Sequence, residues 1–500
     1  MSSDNGGIIG VVNDPTSTTA SGVWQQEEQY EAKVNDTWPQ RPLFTTKSLR
    51  FNDGSSDYLI RTPSSASNKD LWTLSFWIKR STLGTSQSIY GVYADSNNQE
   101  TLAFDSNDKL YWQLYQSGGV VGQLTTNRLF RDTSAWYHIV VAYDSANSTA
   151  GNRMRMYING VEETSFATDT NPSSGQDSQW NSTTAHSIGR INTTNYVDLY
   201  MTEFVNVDGQ ALAPTSFGVA NSDGVWTPIP YTGTFGTNGF NLQFEDSSSL
   251  GTDSSANGNN FTVNNLTSID QSTDYPVVNF ATWNPLENYY QSNTYSEGNL
   301  QVQTQNTSFT YNFATIGVST GKWYWEVEYD AKSGGTDQPM IGITSTQPTA
   351  NDNELGNFPN DFAWYTDNGT GYLSNNNTYS NVGFTAYTVG DVISVALDLD
   401  NNKLYFAKNG TWEKSGNPES GSTGTGAISI TATASTPLGA YFPSVGDATN
   451  SYNATFKTNF GSPPYSISSG NADGNGYGNF EYAVPSGYYS LNTANLAEFG

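Results

Sequence analysis

Residues 321–330 read GKWYWEVEYD. Side chains alternate faces along a strand, so Trp323, Trp325, Val327 and Tyr329 share one side, and Tyr324, Glu326, Glu328 and Asp330 the other. This alternation predicts a strand with one buried and one wet face, as in an antiparallel sandwich. The same period continues downstream in MIGIT (340–344) and in GDVISVALDLDNNKLYFAKNG (390–410), where two apolar runs flank an acidic turn at Asp398, Asp400 and Asn402. Upstream, Trp72, Leu74, Phe76 and Ile78 alternate with Thr73, Ser75 and Trp77. Met154, Met156 and Ile158 precede Asn159-Gly160, a pair that favours a tight hairpin turn. Long amphipathic helical patterns are almost absent.

The expected fold class is therefore all-β: two antiparallel jelly-roll or β-sandwich domains. The first spans 45–215 and the second 286–466. Between them, 216–285 reads as a Gly/Asn/Ser-rich connector with one strand at 240–244. Residues 467–500 read as a C-terminal tail holding a last strand and a turn. Residues 1–44 read as an N-terminal arm followed by a short helix at 23–38. Val23, Glu27, Tyr30 and Val34 would line one face of that helix, Ser21 would cap it and Pro39 would end it.

Composition narrows the function. The 500 residues carry 20 Lys+Arg against 47 Asp+Glu, a net charge of −27, which argues against a nucleic-acid groove. Aromatic residues make up 14 %, ample for real cores in a chain otherwise rich in polar residues. No apolar run approaches the length of a membrane span, so no membrane insertion is expected. Residues 1–22 lack the basic start and apolar stretch of a secretory signal. The absence of Cys excludes disulfides and thiolate chemistry. The two histidines, His138 and His186, sit in strand patterns and read as hydrogen-bonded structural residues.

Four blocks resemble laminin-G-like members of the concanavalin-A lectin/glucanase superfamily: 49–51 with 58–59, 72–78, 136–141 and 156–160. The resemblance implies a two-sheet jelly roll. Members bind glycans or proteins, often with calcium, and some are hydrolases. The stretches 321–330, 340–344 and 390–410, with 441–445 and 459–461, resemble a SPRY (B30.2-like) domain. That implies a binding module of two antiparallel sheets whose ligand surface is built from variable loops. The arrangement as a whole is similar to structural proteins of tailed phages. It rests on SGVW (21–24), TWP (37–39), VDGQALAPTSF (207–217), GTNGFNLQF (236–244) and PSGYYSLNTANL (485–496). This resemblance implies a virion protein made in the host cytoplasm and released by lysis, in a tail or appendage rather than the head. Residues 1–44 would attach it to other virion proteins.

Candidate ligand contacts are aromatic residues beside polar loops, because sugars present C–H faces to rings and hydroxyls to Asn and Asp. These are Trp180, Trp364, Tyr365, Tyr379 and Trp412, with a further cluster of Tyr93, Asp95, Asn97 and Asn98. The alternative for each ring is to turn inward and cap a core. In the acidic loop 245–260, Asp246, Asp253, Asn257 and Asn259 offer oxygen ligands of the kind calcium takes; turn chemistry explains the same residues. Glu326, Glu328 and Asp330 place carboxylates on one strand face. A retaining glycosidase would need two of them about 5–5.5 Å apart.

The expected function is a receptor-binding subunit of a tail fibre that recognises a host-surface glycan or protein. A trimer is expected, because multivalency strengthens weak single sites. The alternatives are a head-decorating or appendage protein without a receptor role, and a polysaccharide depolymerase. No enzymatic activity and no required cofactor are expected. The scarcity of cations argues against strongly anionic polysaccharides.

Overall fold

The computed structural model describes residues 45–288, 292–335, 338–350 and 352–500. The chain divides into two units, Met1–Thr46 and Lys47–Gly500. The arm and helix expected over 1–44 lie outside the described residues. The second unit holds every sheet found among the described residues.

Its N-terminal half is a sandwich of two eight-stranded sheets among the described residues. One runs in the order Val161–Glu162, Met154–Ile158, Trp136–Asp144, Leu71–Arg80, Leu199–Asp208, Ser48–Phe51, Gln271–Ser272, with Phe240–Leu242 also paired to Leu199–Asp208. The other runs Phe166–Thr170, Gly119–Leu129, Lys109–Gln116, Asn98–Phe104, Gln87–Asp95, His186–Ile188, Tyr58–Arg61, Thr262–Asn264. Every pairing in both is antiparallel. Trp72, Leu74, Phe76, Ile78, Met154, Met156 and Ile158 point into the shared core, as their alternation predicts. Asn159 and Gly160 both have positive φ, 49° and 80°, and join Met154–Ile158 to Val161–Glu162 in register. A Cβ at Gly160 would lie 2.6 Å from the Trp226 ring, so that turn requires glycine twice over.

The second half pairs a nine-stranded with a six-stranded sheet among the described residues. The larger runs Thr294–Ser296, Gln301–Gln303, Ala454–Asn459, Lys322–Lys332, Val392–Asp398, Lys403–Lys408, Thr411–Trp412, with Ile428–Ser429 and Tyr489–Ser490 alongside. The smaller runs Thr310–Phe313, Phe442–Asp447, Pro339–Thr344, Phe362–Asp367, Thr370–Asn375, Thr378–Ser380. Trp323, Trp325, Val327 and Tyr329 fill the core between them, and the 398–402 turn closes a hairpin in which Asp398 accepts the Asn401 N–H at 3.0 Å.

Three expectations change. The connector is part of the first sandwich: Phe240–Leu242 and Gln271–Ser272 join one sheet, and Thr262–Asn264 the other. Its hairpin Gly218–Ala220/Trp226–Pro228 supplies Trp226, which covers Trp77, Trp136 and Tyr200 on the outer face. The tail ends in a helix, Thr493–Phe499, capped by Asn492, where a turn was expected. The outer face of Lys322–Lys332 is not wet over its first half, while Glu328 and Asp330 further along are half-buried. Tyr324 and Glu326 are both 0 % exposed, because the tail crosses that face and packs Phe480 and Tyr488 against Tyr324, Ala396 and Tyr405.

Burial of acids sets a pH dependence. Asp57 is pushed up to about 6, and Glu100, Asp198, Glu203, Asp361 and Asp447 to about 7, in each case chiefly by desolvation. A folded-state pKa above the unfolded one means stability that is full below the unfolded value and lost as pH rises through the folded value. His138 and His186, buried and lowered to about 3 and 4, act in the opposite sense below their ordinary value but number two against six. Urea unfolding is therefore expected to show higher stability at pH 5.5 than at pH 8, by about 2 kcal/mol or more. A flat or inverted profile would contradict this assignment.

Candidate functional site

The aromatic candidates separate sharply. Trp180 is 1 % exposed, stacked on Trp112 with centroids 5.7 Å apart and planes 7° apart, and packed on Trp72. It belongs to the first core. Trp364 is 0 % exposed and donates its ring N–H to the Thr385 carbonyl at 2.9 Å, inside the second core. Trp412 is half-buried beside Tyr405, in the layer beneath the tail. Trp180 and Trp364 are therefore core residues, while Trp412 keeps part of its ring exposed. Trp180 is flanked by Gln179 and Asn181, but the large ring is the group that removes most apolar area from water.

Tyr93, Asp95, Asn97 and Asn98 stay together at the tip of the Gln87–Asp95/Asn98–Phe104 hairpin, but as a turn. Asp95 accepts the Asn97 backbone N–H at 2.7 Å and the Asn98 amide at 3.1 Å, and the first of these holds its carboxyl below the usual range.

The acidic loop is also internally satisfied. Asp253 accepts from the Asn241 and Ser255 N–H groups through one oxygen, both at 2.9 Å, and from the Ser255 hydroxyl and Asn259 N–H through the other, both at 2.8 Å. A carboxylate has about four acceptor positions, and all are taken by protein donors. Asn257 and Asn259 donate their amides to carbonyls of 236–239. Asp246 caps a separate turn through Ser248. Asp253 thus anchors the loop from within, the turn chemistry that the sequence offered beside calcium for these residues.

His138 accepts the Trp226 ring N–H at Nδ1 (2.9 Å), so its Nε2–H donates to the Ser75 hydroxyl, also 2.9 Å. His186 accepts the Asn181 N–H at Nε2 and donates through Nδ1 to the Thr184 carbonyl. Both are structural, as read. Glu326 accepts from the backbone N–H groups of Glu481 and Tyr482 at 2.9 and 2.8 Å and from the Tyr324 hydroxyl at 2.9 Å, while Asp330 pairs with Lys457 at 2.8 Å. Glu326 is thus taken up by the tail and Asp330 by Lys457.

Tyr365 and Tyr379 do come together. Met340, Tyr365 and Tyr372 are cross-strand partners on the outer face of the six-stranded sheet. Tyr379 lies on its edge strand opposite Ser374, which in turn pairs Ala363. Those two small residues leave room for the Tyr379 ring to reach across and stack on Tyr365, centroids 4.5 Å and planes 30° apart. Tyr372 flanks Tyr365 at 6.0 Å. Gln338 donates its amide to the Tyr365 hydroxyl at 3.0 Å, and the Tyr379 hydroxyl donates to the Glu354 carboxylate. Burial raises the Glu354 carboxyl, with the Tyr379 bond opposing that rise. Tyr365 is 3 % and Tyr379 45 % exposed, so one ring is the base and the other the presented surface. Asn368, Asn376 and Asn377 are exposed at the neighbouring turns. The result is a rigid aromatic platform with amides beside it, suited to the apolar face of a sugar ring. Glu354, Tyr372 and Gln338 escape a sequence reading because only strand pairing brings them to Tyr379.

Residues 53–204 match the model of the family described as the concanavalin A-like lectin/glucanases superfamily. Residues 322–463 match the SPRY domain family. No curated protein matches the chain. Among solved structures, the chain is similar to the SPRY domain of human HERC1, with 17 % identity over 32 % of this chain and 86 % of that one, TM-score 0.25. It is also similar to a heptameric SAP-like pentraxin from Limulus polyphemus, with 16 % identity over 32 % and 79 %, TM-score 0.23. A Bacteroides ovatus protein that carries carbohydrate binding as a proposed role shows 16 % identity over 45 % and 60 %, TM-score 0.31.

Proposed function

We propose that this chain is a glycan-recognising subunit of a phage particle, carried on a tail fibre or comparable appendage as a trimer and attached to other virion proteins through residues 1–44. Two sandwich domains of lectin-like and SPRY type support a recognition role. The virion address draws on the phage-like stretches between 21 and 496. The observation that carries the glycan reading is the exposed Tyr379 ring stacked on buried Tyr365 and held by Glu354.

Tyr379→Ala is expected to weaken binding of the purified chain to host cells about tenfold, the loss of one ring contact. Tyr379→Phe, which keeps the ring, should bind nearly as wild type. Equal binding by all three proteins removes the platform from the mechanism. Gold-labelled antibody on intact particles tests the address. Label at fibres or the tail tip supports it, label spread over the head replaces it with a decorating role, and unlabelled particles refute a virion protein altogether.

A further inference from the structure

A second surface, unrelated to the Tyr379 platform, lies where the two sandwiches meet. Stretches 268–273 of the first and 462–467 of the second face each other across a cleft of about 240 Å³. Its walls are tied together by hydrogen bonds between the halves. The Ser272 and Ser462 hydroxyls are 2.6 Å apart, and the Thr273 hydroxyl donates to the Gly461 carbonyl at 3.0 Å. Gln271 is fixed by its amide bond to the Phe244 carbonyl at 2.7 Å.

The open side differs. None of the described residues bonds the side chains of Ser247, Ser268, Ser466 or Asn479, which line the same cleft. Tyr465, flanked by Pro463 and Ile467, supplies an apolar wall with one aromatic ring. Among the described residues the lining carries no carboxylate and a single cation, Lys47. A shallower depression of about 620 Å³ shares Ser247 and Ser268 and extends the cleft past Ser249 and Thr267. Fixed walls, unpartnered hydroxyl and amide groups, one ring and little charge are complementary to a sugar with apolar C–H faces and many hydroxyls. Domain junctions are common ligand sites for this reason. From this juxtaposition we infer that the cleft binds a neutral oligosaccharide, with at least one ring seated between Ser268 and Tyr465 and further units along the depression.

The test uses the full chain and four probes: maltohexaose, cellohexaose, laminarihexaose and, as an anionic control, a heparin hexasaccharide. Hydrogen exchange is followed with and without each. One neutral hexasaccharide is expected to slow exchange in both 268–273 and 462–467. Ser466→Trp, at an exposed position, should fill the cleft, abolish that slowing and weaken binding at least tenfold. Ser268→Trp repeats the test from the other half. Tyr379→Ala should leave it unchanged. Slowing by the anionic probe alone, slowing that survives both tryptophan variants, or none with any neutral probe overturns the inference. Slowing confined to 354–379 and lost in Tyr379→Ala overturns it too, while leaving the platform reading intact.

Discussion

Replacing Glu326 by alanine is expected to destabilise the protein by about 3–5 kcal/mol and to release the C-terminal segment from the sheet beneath it. The carboxylate is 0 % exposed. It accepts from two consecutive backbone N–H groups, Glu481 and Tyr482, from the Tyr324 hydroxyl, and from the Asn459 amide at 3.4 Å. Alanine would leave the Glu481 and Tyr482 N–H groups without their acceptor, whereas the Tyr324 hydroxyl keeps Ser394 and the Asn459 amide keeps the Asn479 carbonyl; each orphaned group costs about 1–3 kcal/mol. The tail is also tied here by the parallel pairing of Tyr489–Ser490 with Trp323 and Tyr324, by Phe480 and Tyr488 packed on Tyr324, and by bonds from the Asn459 amide to the Asn479 carbonyl, the Ser486 N–H to Glu419 and the Tyr488 hydroxyl to the Pro418 carbonyl, but Glu326 is the tie that is lost in this variant. Limited proteolysis should therefore cut the variant within 467–490 at urea concentrations where the wild type resists. Glu326→Gln keeps one acceptor oxygen but turns an NH₂ toward the donors, so about half the loss is expected. Wild-type stability and proteolysis in Glu326→Ala would show that the tail is held by packing alone.

Lys79→Ala is expected to cost a similar 3–5 kcal/mol, by stranding a buried carboxylate. Lys79 and Asp274 side chains are 1 % and 2 % exposed and in direct contact. Asp274 also accepts the Trp136 ring N–H at 2.9 Å, and Lys79 reaches the Asn279 amide oxygen at 2.9 Å. Burial pulls the Lys79 ammonium below its ordinary value, and Asp274 opposes that fall. The pair pins segment 274–280, whose Tyr275, Val278 and Phe280 pack against Tyr477 and Ala494 of the tail. Losing it should loosen the two halves from each other. Calorimetry should resolve two unfolding transitions in Lys79→Ala where the wild type shows one. The double variant Lys79→Met/Asp274→Leu, which removes both charges, should recover most of the stability. A double variant as weak as the single would locate the cost in packing instead of the stranded charge.

Much of the fold was legible because period two is a local property. Met154, Met156 and Ile158 lie on one strand that ends at the Asn159-Gly160 turn, and the inward faces of Leu71–Arg80 and Lys322–Lys332 are the predicted ones. Gly119–Leu129 was missed. Its sequence GVVGQLTTNRL is polar along much of one sheet layer, and its ends are exposed, so its pairing with Lys109–Gln116 carries the strand without an apolar stripe. Phe166–Thr170 escaped for the same reason, being an exposed edge. The site was less legible. Of the proposed ligand contacts, Trp180 and Trp364 became core, because loop-adjacent rings and surface rings look alike until the opposite sheet is in place. Tyr365 and Tyr379 became one feature only through the small pair Ala363 and Ser374 between them.

Periodicity and composition suffice to establish that this chain builds two antiparallel sandwiches, which face of their central strands is apolar, and that no cysteine chemistry is present. Those properties reside in neighbours one to four residues apart. Tertiary structure alone decided that Glu326 anchors a tail instead of meeting water, that the 216–285 segment completes both sheets of the first sandwich, and that Asp253 satisfies a loop. It also decided that Ser268 and Tyr465 face one another across a cleft. Each depends on residues from 12 to more than 200 positions apart, and the free energy of burying or pairing a group is set by what lies across from it, which no local pattern records.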